Sequence, residues 1–224
     1  MSELSNAFLL VFIGLFPVVN PLGAAPIFLS LTSDCTPQQR TRLARLVAFN
    51  SFWLLVGSTL FGSMILEFFG LSIPVVRVAG GLLVTAMGWK LLSQGGGGSS
   101  HEELHEAGDA GAANDSFYPL TLPLTVGPGA ISVALTIGSH HPRDTFGAHA
   151  LLLAGAALLG LLAIALTIYG CYRFAGPLVR YLGEAGVNVL VRLSAFILVC
   201  IGIQIGWGGV SALVAGLQHP AALP

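Results

Sequence analysis

Stretches without a single charged residue, each longer than a bilayer is thick, recur along this chain, and nothing constrains its fold more. Residues 4–33, 46–66, 116–142 and 145–172 are uncharged throughout, and about 20 apolar residues cross a hydrocarbon core as a helix. Two further runs, 71–93 and 187–213, are apolar apart from an arginine near the start of each, Arg77 and Arg192, and Lys90 near the end of the first. Backbone in hydrocarbon must satisfy its own hydrogen bonds. The expectation is an all-α membrane protein of six transmembrane helices.

Composition agrees, because 8% of the residues are charged where a water-soluble domain carries about 25%. A formal net charge of -1, with no basic stripe, excludes a nucleic-acid partner. The partner is the lipid bilayer, and six spans leave no room for an extramembrane domain. The first segment lacks a basic leader and runs past the length of a signal's apolar core, so it is expected to remain as a span. Cys35, Cys171 and Cys200 are widely separated, which suggests small apolar packers rather than a disulfide framework or metal site.

Basic residues orient the spans. Arg40, Arg42, Arg45, Lys90, Arg173, Arg180 and Arg192 fall on one side, in or beside the first loop, the end of helix 3 and the fifth loop, and only Arg77 and Arg143 on the other. Short Lys/Arg-rich loops stay cytoplasmic, so both termini are expected outside, in the periplasm of a Gram-negative cell. Residues 94–114, QGGGGSSHEELHEAGDAGAAN, read as an acidic cytoplasmic linker. The chain divides into a first three-helix repeat (1–93), the linker (94–116), a second repeat (117–216) and a tail (217–224).

The two halves resemble each other. Helix 1 contains FPVVNPLGAAP and helix 4 PLTLPLTVGPGA, and the third helices run RVAGGLLVTAMG from Arg77 and RLSAFILVCIGI from Arg192. An odd number of spans per half inserts the second copy upside down, giving an inverted repeat. Proline inside a helix removes a donor and strands the carbonyl four residues earlier: Pro21 frees Pro17, Pro26 frees Leu22, Pro123 frees Pro119 and Pro128 frees Leu124. Such backbone belongs beside a protein-lined cavity. Helices 1 and 4 are therefore expected to be discontinuous.

Asn20 before Pro21 is also a helix-start signature, repeated more weakly by Gly127 before Pro128. Each restart bares amide donors and a positive helix end. Donors beside freed carbonyls suit a small zwitterion, its carboxylate on the amides after Asn20 and Gly127, its ammonium on carbonyls such as those of Pro17 and Leu124. Asn20, Thr125, Ser132, Asn50 and Gln204 are polar wall residues, and Gly23, Gly127 and Gly129 keep volume low. No Asp or Glu lies deep in a span, which argues against an organic cation. The competing view is that Gly and Pro merely kink helices for packing. Arg77 and Arg192 lie about 9 Å inside helix ends, within snorkelling reach, and read as anchors or as gate residues.

The stretches NPLGAAPIFLSLT (20–32) and PLTLPLTVGPGAIS (119–132), with the arginine-led third helices, resemble the MarC family of bacterial inner-membrane proteins, which includes SnatA-type transporters of small neutral amino acids. The resemblance spans all six helices and excludes mainly the linker. It implies transport of glycine, alanine or similar molecules, with Asn20, Pro21 and Gly23 and the matching Gly127, Pro128 and Gly129 in the discontinuous helices. The family name records an association with antibiotic resistance.

His101, Glu102 and His105 spell HExxH, the zinc-protease pattern, but GGGGSS before it and EAGDAG after it are linker sequence. The chain is read as not an enzyme and as needing no cofactor. His140, His141 and His149 sit at the outer ends of helices 4 and 5 and read as interfacial. A secondary transporter using alternating access is the leading function, coupled to Na⁺ or H⁺ or uncoupled. The alternatives are a passive channel or facilitator for small polar solutes, an exporter linked to drug tolerance, or a non-transporting scaffold.

Overall fold

The computed structural model describes residues 2–93, 116–139 and 148–218. Its elements are α1 (Ser2–Val19), α2 (Pro21–Leu31), α3 (Pro37–Phe68), α4 (Ile73–Ser93), α5 (Ser116–Thr125), α6 (Pro128–Ser139), α7 (Ala148–Arg173) and α8 (Ala175–Gln218). No strand occurs among the described residues. Four helices are long and apolar enough to cross a membrane, and the number rises to six if each of two bent pairs, α1 with α2 and α5 with α6, is one span.

Local chemistry sets the ends of these helices. Thr36 and Gln39 form a reciprocal capping box that starts α3, with Pro37 in the first turn. At its other end Gly70 takes φ 65, and the amides of Gly70 and Leu71 donate to the carbonyls of Glu67 and Leu66 at 3.1 and 2.8 Å. That is a Schellman ending, and it needs a residue free to enter the left-handed region.

Two boundaries differ from expectation. The helix expected from residue 46 begins at Pro37, because the capping box starts it in the polar loop. The stretch expected as a fifth loop is almost entirely helical. The Phe174 amide bonds the Gly170 carbonyl and the Leu178 amide bonds Phe174, so α8 restarts at once after α7. The chain turns instead at Gly183, φ 66 and ψ 175.

Packing centres on α3, α7 and the interrupted helices. α1 packs on α7, α3 on α5, α6 and α7, α2 on α7 and α8, and α4 on α6 and α8. Glycines bring the backbones of α4 and α8 into direct contact. A Cβ on Gly81 would meet the backbone of Gly202 and Gly206, one on Gly88 the backbone of Ala195 and Val199, and one on Gly209 that of Pro74 and Val78. Rising numbers on α4 meet falling numbers on α8, so the two run antiparallel. Small residues recur every seventh position (Gly81 and Gly88; Ala195, Gly202 and Gly209), the period that keeps one seam facing a partner.

Val11, Leu15, Phe28, Val47, Leu55, Val126, Ile164, Ile168 and Tyr172 belong to one buried cluster. Around it the outward faces carry Leu10, Phe61, Leu82, Trp89, Leu151 and Trp207, all exposed. A patch that extensive is incompatible with water and natural against lipid tails.

Candidate functional site

The first interruption is built by four consecutive residues. Asn20 sits in the left-handed region, φ 48 and ψ 54, a conformation Asn tolerates better than most side chains. Its side-chain oxygen accepts the Gly23 amide at 3.2 Å, its amide donates to Phe16 and its carbonyl accepts from Ala24, both at 3.0 Å. A Cβ on Gly23 would collide with the Asn20 side chain, so the cap requires glycine there. Pro21 brings no N–H for the Pro17 carbonyl, and Gly23, the in-register donor for Val19, is turned to Asn20. The bend between α1 and α2 is 41°.

The far end of α2 is closed by Arg40. Its Nε donates to Thr32 Oγ1 at 3.1 Å, and Nη2 donates to the carbonyls of Thr32 and Cys35 at 2.7 and 3.4 Å. Thr32 in turn donates to the Phe28 carbonyl at 2.7 Å. A guanidinium on the last carbonyls of a helix satisfies groups that have no partner in the helix and opposes its negative end.

The second interruption is built differently. Pro119 and Pro123 cannot donate, and α5 closes wide, five-residue hydrogen bonds instead: Val126 N–H to Thr121 at 2.8 Å, and the hydroxyls of Thr121 and Thr125 to the carbonyls of Ser116 and Leu120, each at 2.6 Å. Tyr118 and Leu122 are extended, and the Leu122–Pro123 peptide is cis. After Val126 and Gly127 the chain restarts as α6 at Pro128, bent by 72°.

Tyr172, wholly buried at the end of α7, joins the two interruptions. Its hydroxyl lies 2.8 Å from Thr125 Oγ1. The single hydrogen of Thr125 is given to Leu120, so Tyr172 is the donor. The tyrosine ring stacks on Phe28 of α2, centroids 4.4 Å apart.

Between the interruptions lies a cavity of about 170 Å³. Of the residues singled out from sequence, Asn20, Gly23 and Leu124 line it, with Val18, Val19, Ala24 and Ile27 from the first helix pair and Pro123 from α5. Met87, Lys90 and Leu91 of α4 and Leu198 of α8 complete the wall. Pro17, Pro21, Thr125, Gly127, Pro128, Gly129 and Ser132 are not part of it. Gly127 stands behind Met87, 3.4 Å from its side chain to an added Cβ. Gly129 and Ser132 face α4: Gly129 abuts Val84, and Ser132 donates to the Val76 carbonyl at 3.0 Å opposite Gly80.

Arg77 is half-buried and Arg192 exposed, and neither borders the cavity. Asn50 is half-buried and Gln204 exposed, likewise away from it. Cys35 and Cys171 pack against the core, whereas Cys200 is exposed. His101, Glu102, His105, His140 and His141 lie outside the described residues, as does the side chain of His149. Among the described residues no three His, Cys, Asp or Glu side chains converge as a metal site.

Lys90, Tyr172 and Arg40 were not singled out from sequence as site residues. Tyr172 followed by Arg173 at the end of an apolar run has the signature of an interfacial belt residue. Only its burial distinguishes it from one.

The chain matches the profile of the "MarC family integral membrane protein" over residues 5–214. It is 31% identical over 220 residues to the UPF0056 inner membrane protein MarC of Salmonella typhi, covering 96% of this chain and 98% of that one. It is 31% identical over 222 residues to the protein of the same name from Escherichia coli O1:K1, with the same coverage. No solved structure matches.

Proposed function

The chain belongs to the MarC family of integral membrane proteins, and on that premise we propose that it is a secondary transporter of small neutral amino acids such as glycine and alanine. Alternating access operates around the cavity between the two interrupted helix pairs, each pair forming one discontinuous span.

One observation carries the proposal: a single small cavity touches the Asn20 cap on one side and Pro123 and Leu124 of the second interruption on the other. Its volume of about 170 Å³ is below the ~300–1,000 Å³ of sites for drug-sized ligands. That favours an amino acid over an antibiotic. A mostly apolar wall is also a poor lining for a water-filled channel.

The packing supports two inverted three-helix repeats. Exchanging the halves maps α1 and α2 onto α5 and α6, α3 onto α7 and α4 onto α8. Three pairings survive the exchange: α1 on α7 answers α5 on α3, α2 on α7 answers α6 on α3, and α2 on α8 answers α6 on α4. Paired halves of this kind can rock about a fixed site. With Arg40, Lys90 and Arg173 on the inner side, both termini face outward.

Uptake of labelled glycine and alanine into proteoliposomes, with Na⁺ and pH gradients imposed separately, tests the function. The expected result is saturable uptake with counterflow, driven by Na⁺, by H⁺ or by exchange alone. Flux that fails to saturate and shows no counterflow would instead make the protein a passive facilitator.

A further inference from the structure

We infer that the face of α8 carrying Gln204 is an interface with a second copy of this chain, the two α8 helices meeting about a two-fold axis along the membrane normal. The inference stands apart from whatever the cavity binds.

Gln204 lies near the middle of a membrane span. α4 and α8 are both long and apolar enough to cross a bilayer. A Cβ on Gly81 of α4 would meet the backbone of Gly202 and Gly206, so Gln204, between those two glycines, shares the level of Gly81. That level is eight residues from the start of α4 and twelve from its end, about 12 and 18 Å at 1.5 Å per residue. A side chain there is surrounded by hydrocarbon, not by headgroups or water.

The Gln204 amide is also turned away from its own protein. Gly202 faces α4, and Gln204 is about 200° further round the helix. It is exposed and has no hydrogen-bond partner among the described residues. Ser58, Thr59, Thr85 and Thr167 each return a hydrogen to the carbonyl four residues back in their own helix. Gln204 does not. An unsatisfied amide in hydrocarbon is costly, and acyl chains have nothing to bond it, so the group calls for a second protein surface.

The rest of this face fits a copy of itself. Cys200, Gln204, Gly208 and Ser211 are all exposed and fall within about 80° of one another around the helix. Nothing lies within 4 Å of a Cβ built on Gly208, so a neighbouring helix can close on its backbone. Small residues beside a polar one let membrane helices approach and hydrogen-bond. A carboxamide carries both donor and acceptor, so two Gln204 side chains related by a two-fold axis donate to each other. Copies inserted in the same orientation set equal residue numbers face to face, as an isologous contact requires. The glycine seam that holds α4 lies on the opposite side of α8 and stays intact.

Cys200, one turn from Gln204, supplies the first test. In membranes containing the full chain with Cys35→Ser and Cys171→Ser, oxidation by copper phenanthroline should join two Cys200 thiols and give a covalent dimer. A cysteine at Val210, also exposed but about 120° away around the helix, should give little in a background lacking the native three.

The second test measures association by energy transfer between labelled chains in liposomes of falling protein density. Gln204→Leu should raise the dissociation constant about fivefold to thirtyfold, the worth of an interhelical hydrogen bond in a bilayer. Gly208→Leu, which meets nothing in its own chain, should do the same by holding the helices apart. Melting temperatures of the detergent-solubilised variants close to wild type would show that the chain itself is intact. Cross-linking through Val210→Cys as efficient as through Cys200, association unchanged in Gln204→Leu, or a wild type that stays monomeric at every density would overturn the inference and leave this face to lipid.

Discussion

At the scale of single residues, Asn20 combines two roles that substitution can separate. As a cap it holds the Gly23 amide, and as a wall residue it borders the cavity. Glycine tolerates the left-handed conformation and replaces a capping Asn at a cost of a few tenths of a kcal/mol. Asn20→Gly should therefore unfold within about 0.5 kcal/mol of wild type in detergent while losing most uptake; retained uptake would remove Asn20 from the site. Tyr172 and Thr125 make a second test. Thr125→Val leaves the Tyr172 hydroxyl buried without its partner, a loss of about 1–3 kcal/mol. Tyr172→Phe removes the donor but keeps the ring on Phe28 and should cost about 1 kcal/mol. The double variant should be less destabilised than the sum of the two, and strict additivity of the unfolding free energies would mean the hydroxyls do not interact. The Asn20–Pro21 start of α2 was legible because its residues are adjacent, but that the Asn20 side chain takes the Gly23 amide was not. Tyr172 was not, since its partners lie at positions 28 and 125.

At the scale of elements, glycine has two quite different meanings. Gly81 and Gly202 hold α4 and α8 at backbone contact, whereas nothing lies within 4 Å of a Cβ built on Gly208. Overpacking a tight contact costs about 1–3 kcal/mol and more when backbone must move, so Gly81→Leu or Gly202→Leu should lower thermal stability well below that of Gly208→Leu. Equal melting temperatures would show that the two helices can part without loss. Gly129→Leu should abolish uptake without preventing insertion, through displacement of Val84 on α4 rather than by filling the cavity. Uncharged runs announced the apolar helices, and proline placement pointed to the places where α1 bends into α2 and α5 into α6. The wide hydrogen bonds of α5 were not announced, because which carbonyl a threonine hydroxyl takes depends on the whole local path of the chain. Nor was the helix through residues 175–182 expected. Its arginine resembles loop sequence, and only its continuity with α7 reveals the element.

At the scale of the whole molecule, the proposed inverted arrangement fixes which chain ends share a side of the membrane. A cysteine placed at Ser72, in a background lacking the native three, should react with an impermeant thiol reagent on intact cells. Cysteines at Asp34 and Ser93 should react only after permeabilisation, and the opposite pattern would invert the protein and place Lys90 at the outer mouth. Sequence alone determined that this is a helical membrane protein, because the hydrocarbon core acts on each segment independently and its demand for about 20 uncharged residues is written locally. It also pointed to where the helices bend, because proline and glycine act on their own few neighbours. Which broken ends border the cavity, that Lys90 joins them, and that Gly129 and Ser132 turn to α4 instead were decided only by tertiary packing. The rotation of each helix about its axis is set by close contact with residues far away in the chain, and no local pattern carries that information.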